Sequence, residues 1–211
     1  MPGYNAPGFT DGHQLLESLL TARALSCERD GRVLFNGLDL DIRPGDVIEL
    51  TGPNGSGKTT LLRCLAGLTG DFEGQVSRRG SFSYVGHRGG LNLQLTPLQN
   101  LRWSAAIEGT DASNESLSSL LDGVGLAGYE LTPCQQLSAG QQRRAALARL
   151  GFGNAELWLL DEPLTALDEA GCALVRDLLA RHRARGGAAL CATHQSLGLD
   201  RSLQHVLGRA A

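Results

Sequence analysis

Several things are missing from this 211-residue chain, and each absence removes a class of function. There is no excess of charge of one sign: 19 Lys and Arg face 22 Asp and Glu, for a net charge of −3. A nucleic-acid binder usually carries a basic surplus, so the totals give no support for nucleic acid as a partner. The five cysteines at 27, 64, 134, 172 and 191 form no C-x-x-C pair and no metal-ligand spacing. Scattered and odd in number, they fit reduced thiols in a cytosolic compartment. No apolar run reaches the ~18 residues that a membrane span needs, and no basic-then-apolar leader opens the chain. If the protein works at a membrane, the expectation is that other chains supply the spanning helices. No internal repeat and no low-complexity block is present.

What is present fits one α/β core. Hydrophobic residues make up 42% and glycines number 28, enough apolar surface for a single domain with many tight turns. Residues 1–18 are rich in Gly and Pro and read as an N-terminal extension, with the fold running from 19 to 211. Strands are expected at 19–28, 32–42 and 47–50, the last two joined by a turn at Pro44-Gly45-Asp46. A second strand pair is expected at about 75–86. Helical character dominates 96–130, with Thr96 as N-cap and Pro97 in the first turn. Trp103 and Ile107, four apart on the helix 97–108, read as core of a helical lobe. A helix at 138–150, a short apolar strand "LWLLDEP" closed by acids, a helix from 168 stopped by Gly186-Gly187, a strand "AALCATH" and a last strand within "HVLGR" complete the order. The basic run 181–185 lies at a helix C-terminus, where it suits the dipole. Apolar strands alternating with helices predict a mostly parallel sheet covered on both faces.

The strand 47–50 runs into "TGPNGSGKTT", which fits G-x-x-x-x-G-K-[ST] between a strand and a helix. Gly52, Pro53, Asn54, Gly55, Ser56 and Gly57 let the backbone curl so that successive N–H groups point inward at phosphates. Lys58 adds a point charge, the Thr59 hydroxyl is suited to Mg²⁺, and Thr60 continues the helix start. In a parallel sheet, ligands gather at the carboxyl ends of strands. Asp161 closes "LWLLD" and is expected to reach Mg²⁺. Glu162 follows, placed to polarise an attacking water. His194 ends another strand, where it can hydrogen-bond a γ-phosphate and hold Glu162. Ser138 and Gln141 have the spacing of a capping box, and a helix tip so built is either an anion site or simply a well-capped helix.

"LSAGQ" at 137–141 resembles the signature motif of ATP-binding-cassette (ABC) ATPases, usually L-S-G-G-Q. The other motifs follow in the family's order: the phosphate loop Gly52–Thr59, the strand Leu157–Asp161 with Glu162, "TALD" at 165–168 and His194. The resemblance runs from about residue 20 to the end. It implies a P-loop NTPase fold of the ABC type, with an antiparallel N-terminal β subdomain and an inserted helical subdomain at about 88–137. It implies ATP and Mg²⁺ as ligands. It also implies a head-to-tail pair of copies, in which Ser138, Gly140 and Gln141 of one chain close on the γ-phosphate held by the other, with Asp168 in the connecting loop. Ala139 stands where the family has glycine, and its methyl is tolerable if φ stays negative.

Two more departures are informative. By register, His87 occupies the slot of the family's Q-loop glutamine, whose side chain touches Mg²⁺ or the attacking water. A neutral imidazole offers one donor and one acceptor, as a carboxamide can. Arg29 occupies the slot of the adenine-stacking aromatic, and a guanidinium plane can also stack on a base. The histidine, "LSAGQ", "LTPLQNL" and "LWLLDEPLTALD" together resemble the ATP-binding subunits of the cytochrome c maturation complex. That resemblance implies docking on integral membrane subunits, through a groove beside 88–97, at the cytoplasmic face of the bacterial inner membrane. It implies coupling of ATP hydrolysis to haem export or to release of a haem-loaded periplasmic chaperone. Another small ABC transporter, or a soluble ABC ATPase, is the alternative.

Overall fold

The computed structural model describes residues 17–151, 153–199 and 202–207. The expected extension at 1–18 falls almost wholly outside them. Among the described residues, eight strands form two sheets. β1 (Leu20–Arg29), β2 (Arg32–Ile42) and β4 (Glu73–Arg78) make a three-stranded antiparallel sheet in the order β2-β1-β4. β5 (Phe82–Val85), β6 (Leu157–Asp161), β7 (Ala188–Ala192), β3 (Val47–Thr51) and β8 (Leu203–Val206) make a five-stranded sheet in the order β5-β6-β7-β3-β8. Every pairing in the larger sheet is parallel.

The apolar runs of β6 and β7 follow from burial on both faces. Leu157 and Leu159 of β6 join one core cluster, and Trp158 and Leu160 join the other. Ala188, Leu190 and Ala192 of β7 face the first side, and Ala189 and Cys191 the second. The first side is covered by the antiparallel sheet and by α1 (Lys58–Leu65), which brings Leu61, Leu62 and Leu65. The second is covered by α4 (Ala139–Ala148) and α5 (Glu169–Ala184), through Ala146, Leu147, Cys172, Val175 and Leu179. A side chain of this size contributes ~2 kcal/mol when fully buried, so α1 is held firmly against the sheet. α5 ends in Arg181, His182 and Arg183. Of these, the His182 ring is buried and stacks on Trp158 with centroids 3.7 Å apart.

Two expectations are corrected. The strands of the 75–86 stretch do not pair with each other: β4 joins β1 and β5 joins β6. β4 reads EGQVSR, with Val76 as its one apolar residue, which suits an exposed edge. β5 carries Val85, fully buried in the second cluster, and so enters the large sheet. Trp103 and Ile107 are not core: they are 58% and 69% exposed. Helix α2 (Pro97–Ile107) buries Pro97, Leu101 and Ala105, an i, i+4, i+8 stripe, together with Asn100. Leu101 meets Leu117 and Leu121 of α3 (Asn114–Gly123) and Ala145 and Ala148 of α4 in a third cluster. The pair at 103 and 107 lies on the far side of that stripe.

Candidate nucleotide site

Because the sheet is parallel, β3, β5, β6 and β7 all end at one edge. This places Gly52, His87, Asp161 and His194 around one region although they are far apart in sequence. The loop after β3 curls tightly. Gly52 has φ of 145°, and a Cβ there would sit 2.6 Å from the Leu207 carbonyl oxygen and 2.8 Å from Ser56 Oγ. No other residue fits without displacing backbone. Gly57 is the N-cap of α1 in the left-handed region, with φ of 96°, and no side chain caps the helix. The first N–H groups of α1 are therefore left for a ligand.

The loop also holds an orphan: Ser56 Oγ is buried and has no hydrogen-bond partner. Lys58 is 8% exposed, and its ammonium donates to the carbonyls of Gly52 (2.8 Å) and Pro53 (3.3 Å). Lys58 is also the only lysine in the chain. A buried cation on two backbone carbonyls, an unpartnered hydroxyl and an uncapped helix start together fit a polyanion. Lys58 and Gly57 border an open cavity of about 500 Å³, lined also by Arg29, Leu34, Asn54, Gly55, Thr59, Thr60, His87 and Glu162.

Thr59 Oγ1 donates to both carboxylate oxygens of Asp161, at 2.9 and 3.1 Å. Burial pushes Asp161 above the usual carboxylate range, and the Thr59 hydrogen bond opposes the rise. A carboxylate that pays for its charge in this way is one a divalent cation would relieve. Among the described residues no cluster of three or more His, Cys, Asp or Glu could hold a metal by itself. One carboxylate and one hydroxyl fit Mg²⁺, which usually keeps few protein ligands and completes its shell with substrate phosphates and water.

Glu162 has φ of 53°, a left-handed conformation that costs a non-glycine residue about 1 kcal/mol or more. Its N–H donates to the Ala192 carbonyl at 2.8 Å. Its carboxylate meets His194 Nδ1 at 2.7 Å. The other ring nitrogen, Nε2, lies 3.1 Å from the Gln195 amide nitrogen. With Nδ1 donating to the carboxylate, Nε2 accepts from Gln195, which fixes the ring. The Glu162 side chain is 16% exposed and that of His194 51%.

Lys58, Thr59, Thr60, Arg29, His87 and Glu162 therefore share the cavity, with Asp161 bonded to Thr59 behind it. Ser138, Gly140, Gln141 and Asp168 do not line it. Ser138 Oγ accepts the Gln141 N–H at 3.2 Å, and Gln141 Oε1 accepts the Ser138 N–H at 2.9 Å, completing the capping box of α4. Asp168 caps α5 by accepting the Gly171 N–H at 2.8 Å. Ala139 begins α4 outside the positive-φ region, whereas Gly140 has no room for a methyl: a Cβ there would lie 2.7 Å from the Ala166 carbonyl oxygen.

Sequence reasoning missed Arg143. It is 6% exposed and ties α4 to the strand ends through five backbone carbonyls. Burial lowers its pKa, while the charges of Asp161 and Glu162 oppose the fall. "QQRRAALAR" contains three arginines, and only the pattern of α4 burial singles this one out. The same helix lines a second cavity of about 250 Å³, through Ala139 and Gln142, which faces His87, Leu91 and Leu93. His87 thus borders both cavities.

Comparison with known proteins places these features in a family. Residues 35–165 match the family model described as ABC transporter. A cytochrome c biogenesis ATP-binding export protein, CcmA, of Hahella chejuensis is 47% identical over 201 residues, covering 89% of this chain and 94% of that protein. The protein of the same name from Methylococcus capsulatus is 46% identical, covering 84% and 92%. Among solved structures, the ATP-binding subunit of an ABC transporter superposes with a TM-score of 0.81 at 22% identity, over 90% of this chain and 86% of that one. A dimeric ATP-binding cassette in a post-hydrolysis state, bound to ADP and Pi, gives 0.76 at 24% identity, over 83% and 88%.

Proposed function

The chain belongs to the ABC transporter family, and from that membership we propose how its site works and what it serves. It is an ATP-hydrolysing subunit of a cytochrome c biogenesis exporter. The observation that carries the chemistry is the convergence of Lys58, the Thr59–Asp161 pair and the Glu162–His194 pair on one edge of the sheet.

ATP enters the cavity with its β- and γ-phosphates against the loop 52–59. Lys58 exchanges its backbone carbonyls for phosphate oxygens, and the start of α1 supplies N–H donors. Arg29 at the cavity wall lies against the base. Thr59 and Asp161 would hold Mg²⁺, which would supply positive charge to offset that of the phosphates. Glu162 orients the attacking water and accepts its proton, and His194 holds that carboxylate in line.

The signature tip is supplied by a second copy. Ser138 Oγ is already an acceptor for Gln141, so its own proton remains free to donate to a γ-phosphate oxygen facing it. This explains why Ser138, Gly140 and Gln141 stand apart from the cavity of their own chain. Among the described residues no helix is long and apolar enough to cross a membrane. Integral membrane partners dock over the groove beside 88–97, close to Leu93, which is 47% exposed. The subunit then works peripherally at the cytoplasmic face of the inner membrane, driving haem export or release of the haem-loaded chaperone.

The His87 imidazole takes the place of a carboxamide at the cavity wall. His87→Gln should keep ATPase activity coupled to the membrane partners, and His87→Ala should lose it. Equal coupled activity in all three proteins would contradict this role. For the biological assignment, deletion of the chain from a host that makes c-type cytochromes should abolish haem-stained c-type cytochromes in its membranes. Normal haem staining in the deletion strain would refute the assignment.

A further inference from the structure

The one buried guanidinium on the signature helix does not line the nucleotide cavity, yet it bonds the backbone of two residues that do, His87 and Glu162. Arg143 Nη2 donates to the carbonyls of Asp161 (2.5 Å) and Glu162 (2.8 Å), and Nη1 to those of Gly86 (3.0 Å) and His87 (3.5 Å). Nε reaches the Pro163 carbonyl at 3.5 Å. A guanidinium presents its donors in a rigid planar fork, so these carbonyls cannot shift independently while the contacts persist.

The consequence is sharpest at Glu162. Its left-handed backbone is held at both ends, the N–H by Ala192 and the carbonyl by Arg143. Those two bonds fix the direction in which the carboxylate leaves the chain. Arg143 stands five residues past the N-cap Ser138 of α4, the helix whose tip offers Ser138 outward. A displacement of α4 therefore pulls on the Glu162 and His87 carbonyls together.

We propose that Arg143 is a positioning residue for hydrolysis, which ties the aim of Glu162 and the placement of His87 to the seating of the signature helix. The proposal rests on the reading of Glu162 as the carboxylate that activates water. In the assembled membrane complex, hydrolysis then waits for α4 to be seated, while nucleotide binding at Lys58 does not.

The test uses the full chain with its membrane subunits, with turnover normalised to bound nucleotide. Arg143→Ala should leave KM for MgATP within about threefold and lower kcat by about a hundredfold, the scale expected of a misplaced catalytic group. Guanidinium ion should restore kcat of Arg143→Ala by about tenfold and do nothing for Glu162→Gln, because it replaces only the missing fork. Arg143→Lys keeps the charge but cannot span both loops. It should fold normally and still lose about tenfold in kcat or more. A role confined to stability would lower the yield of folded protein and leave kcat per bound nucleotide near wild type. That result in Arg143→Lys, with Glu162→Gln inactive, would overturn the proposal and spare the reading of Glu162. Wild-type turnover in Glu162→Gln would overturn both.

Discussion

Glu162→Gln should lower ATP turnover by about a thousandfold, within the range supplied by general-base catalysis, and leave MgATP binding intact. The substitution removes the basic oxygen and little else. The amide has the same shape, and its carbonyl oxygen can still accept from His194 Nδ1, which now lies 2.7 Å from the carboxylate. The backbone bond to Ala192 is unaffected. Lys58, Thr59 and Asp161 keep their contacts, so the phosphate and metal positions survive. Phosphate release at saturating ATP, compared with equilibrium binding of labelled ATP, separates the two effects. Release at the wild-type rate would mean that another group activates the water.

Lys58→Ala should act on the other half of the site and weaken ATP binding by about a hundredfold, equivalent to ~3 kcal/mol for removing a buried cation from a charged partner. The ammonium is largely enclosed and donates to the loop carbonyls of Gly52 and Pro53. It is thus poised to exchange two neutral acceptors for charged phosphate oxygens. Arginine is no substitute, because its broad fork does not fit where a compact charge sits. As the sole lysine, Lys58 can also be followed directly. MgATP should protect it from an amine-selective acylating reagent, read by peptide mass spectrometry. Unchanged acylation in saturating MgATP would place the phosphates elsewhere.

The parts of the site that were legible in the sequence are those set by local geometry. A glycine loop between an apolar strand and a helix can close in few ways, and a run such as "LWLLD" places its acid at the strand's carboxyl end once the sheet is parallel. His194 was legible for the same reason. Burial of both sheet faces explains why the strands stood out as apolar runs without alternation. What escaped notice depended on tertiary choice. Spacing of four placed Trp103 and Ile107 on one helical face, but spacing does not say which face packs, and Leu101 and Ala105 won that competition. The 75–86 strands looked like partners because they are neighbours in sequence, whereas the burial demand of Val85 sent β5 to the larger sheet. Asp168 could have been read as a helix cap from its spacing to Gly171, by the logic that found Ser138 and Gln141. Arg143 had no such local mark, since its partners lie 18 to 57 residues away.

In the proposed mechanism ATP is gripped between two copies, the phosphate loop of one facing the capped tip of α4 on the other. The most direct measurement is the light-scattering mass of purified Glu162→Gln protein with and without saturating MgATP. Expected is a shift from the 22.3 kDa chain to a pair holding one ATP per chain, abolished by Ser138→Arg without loss of ATP binding. A single chain that stays single with ATP bound at every concentration would contradict it.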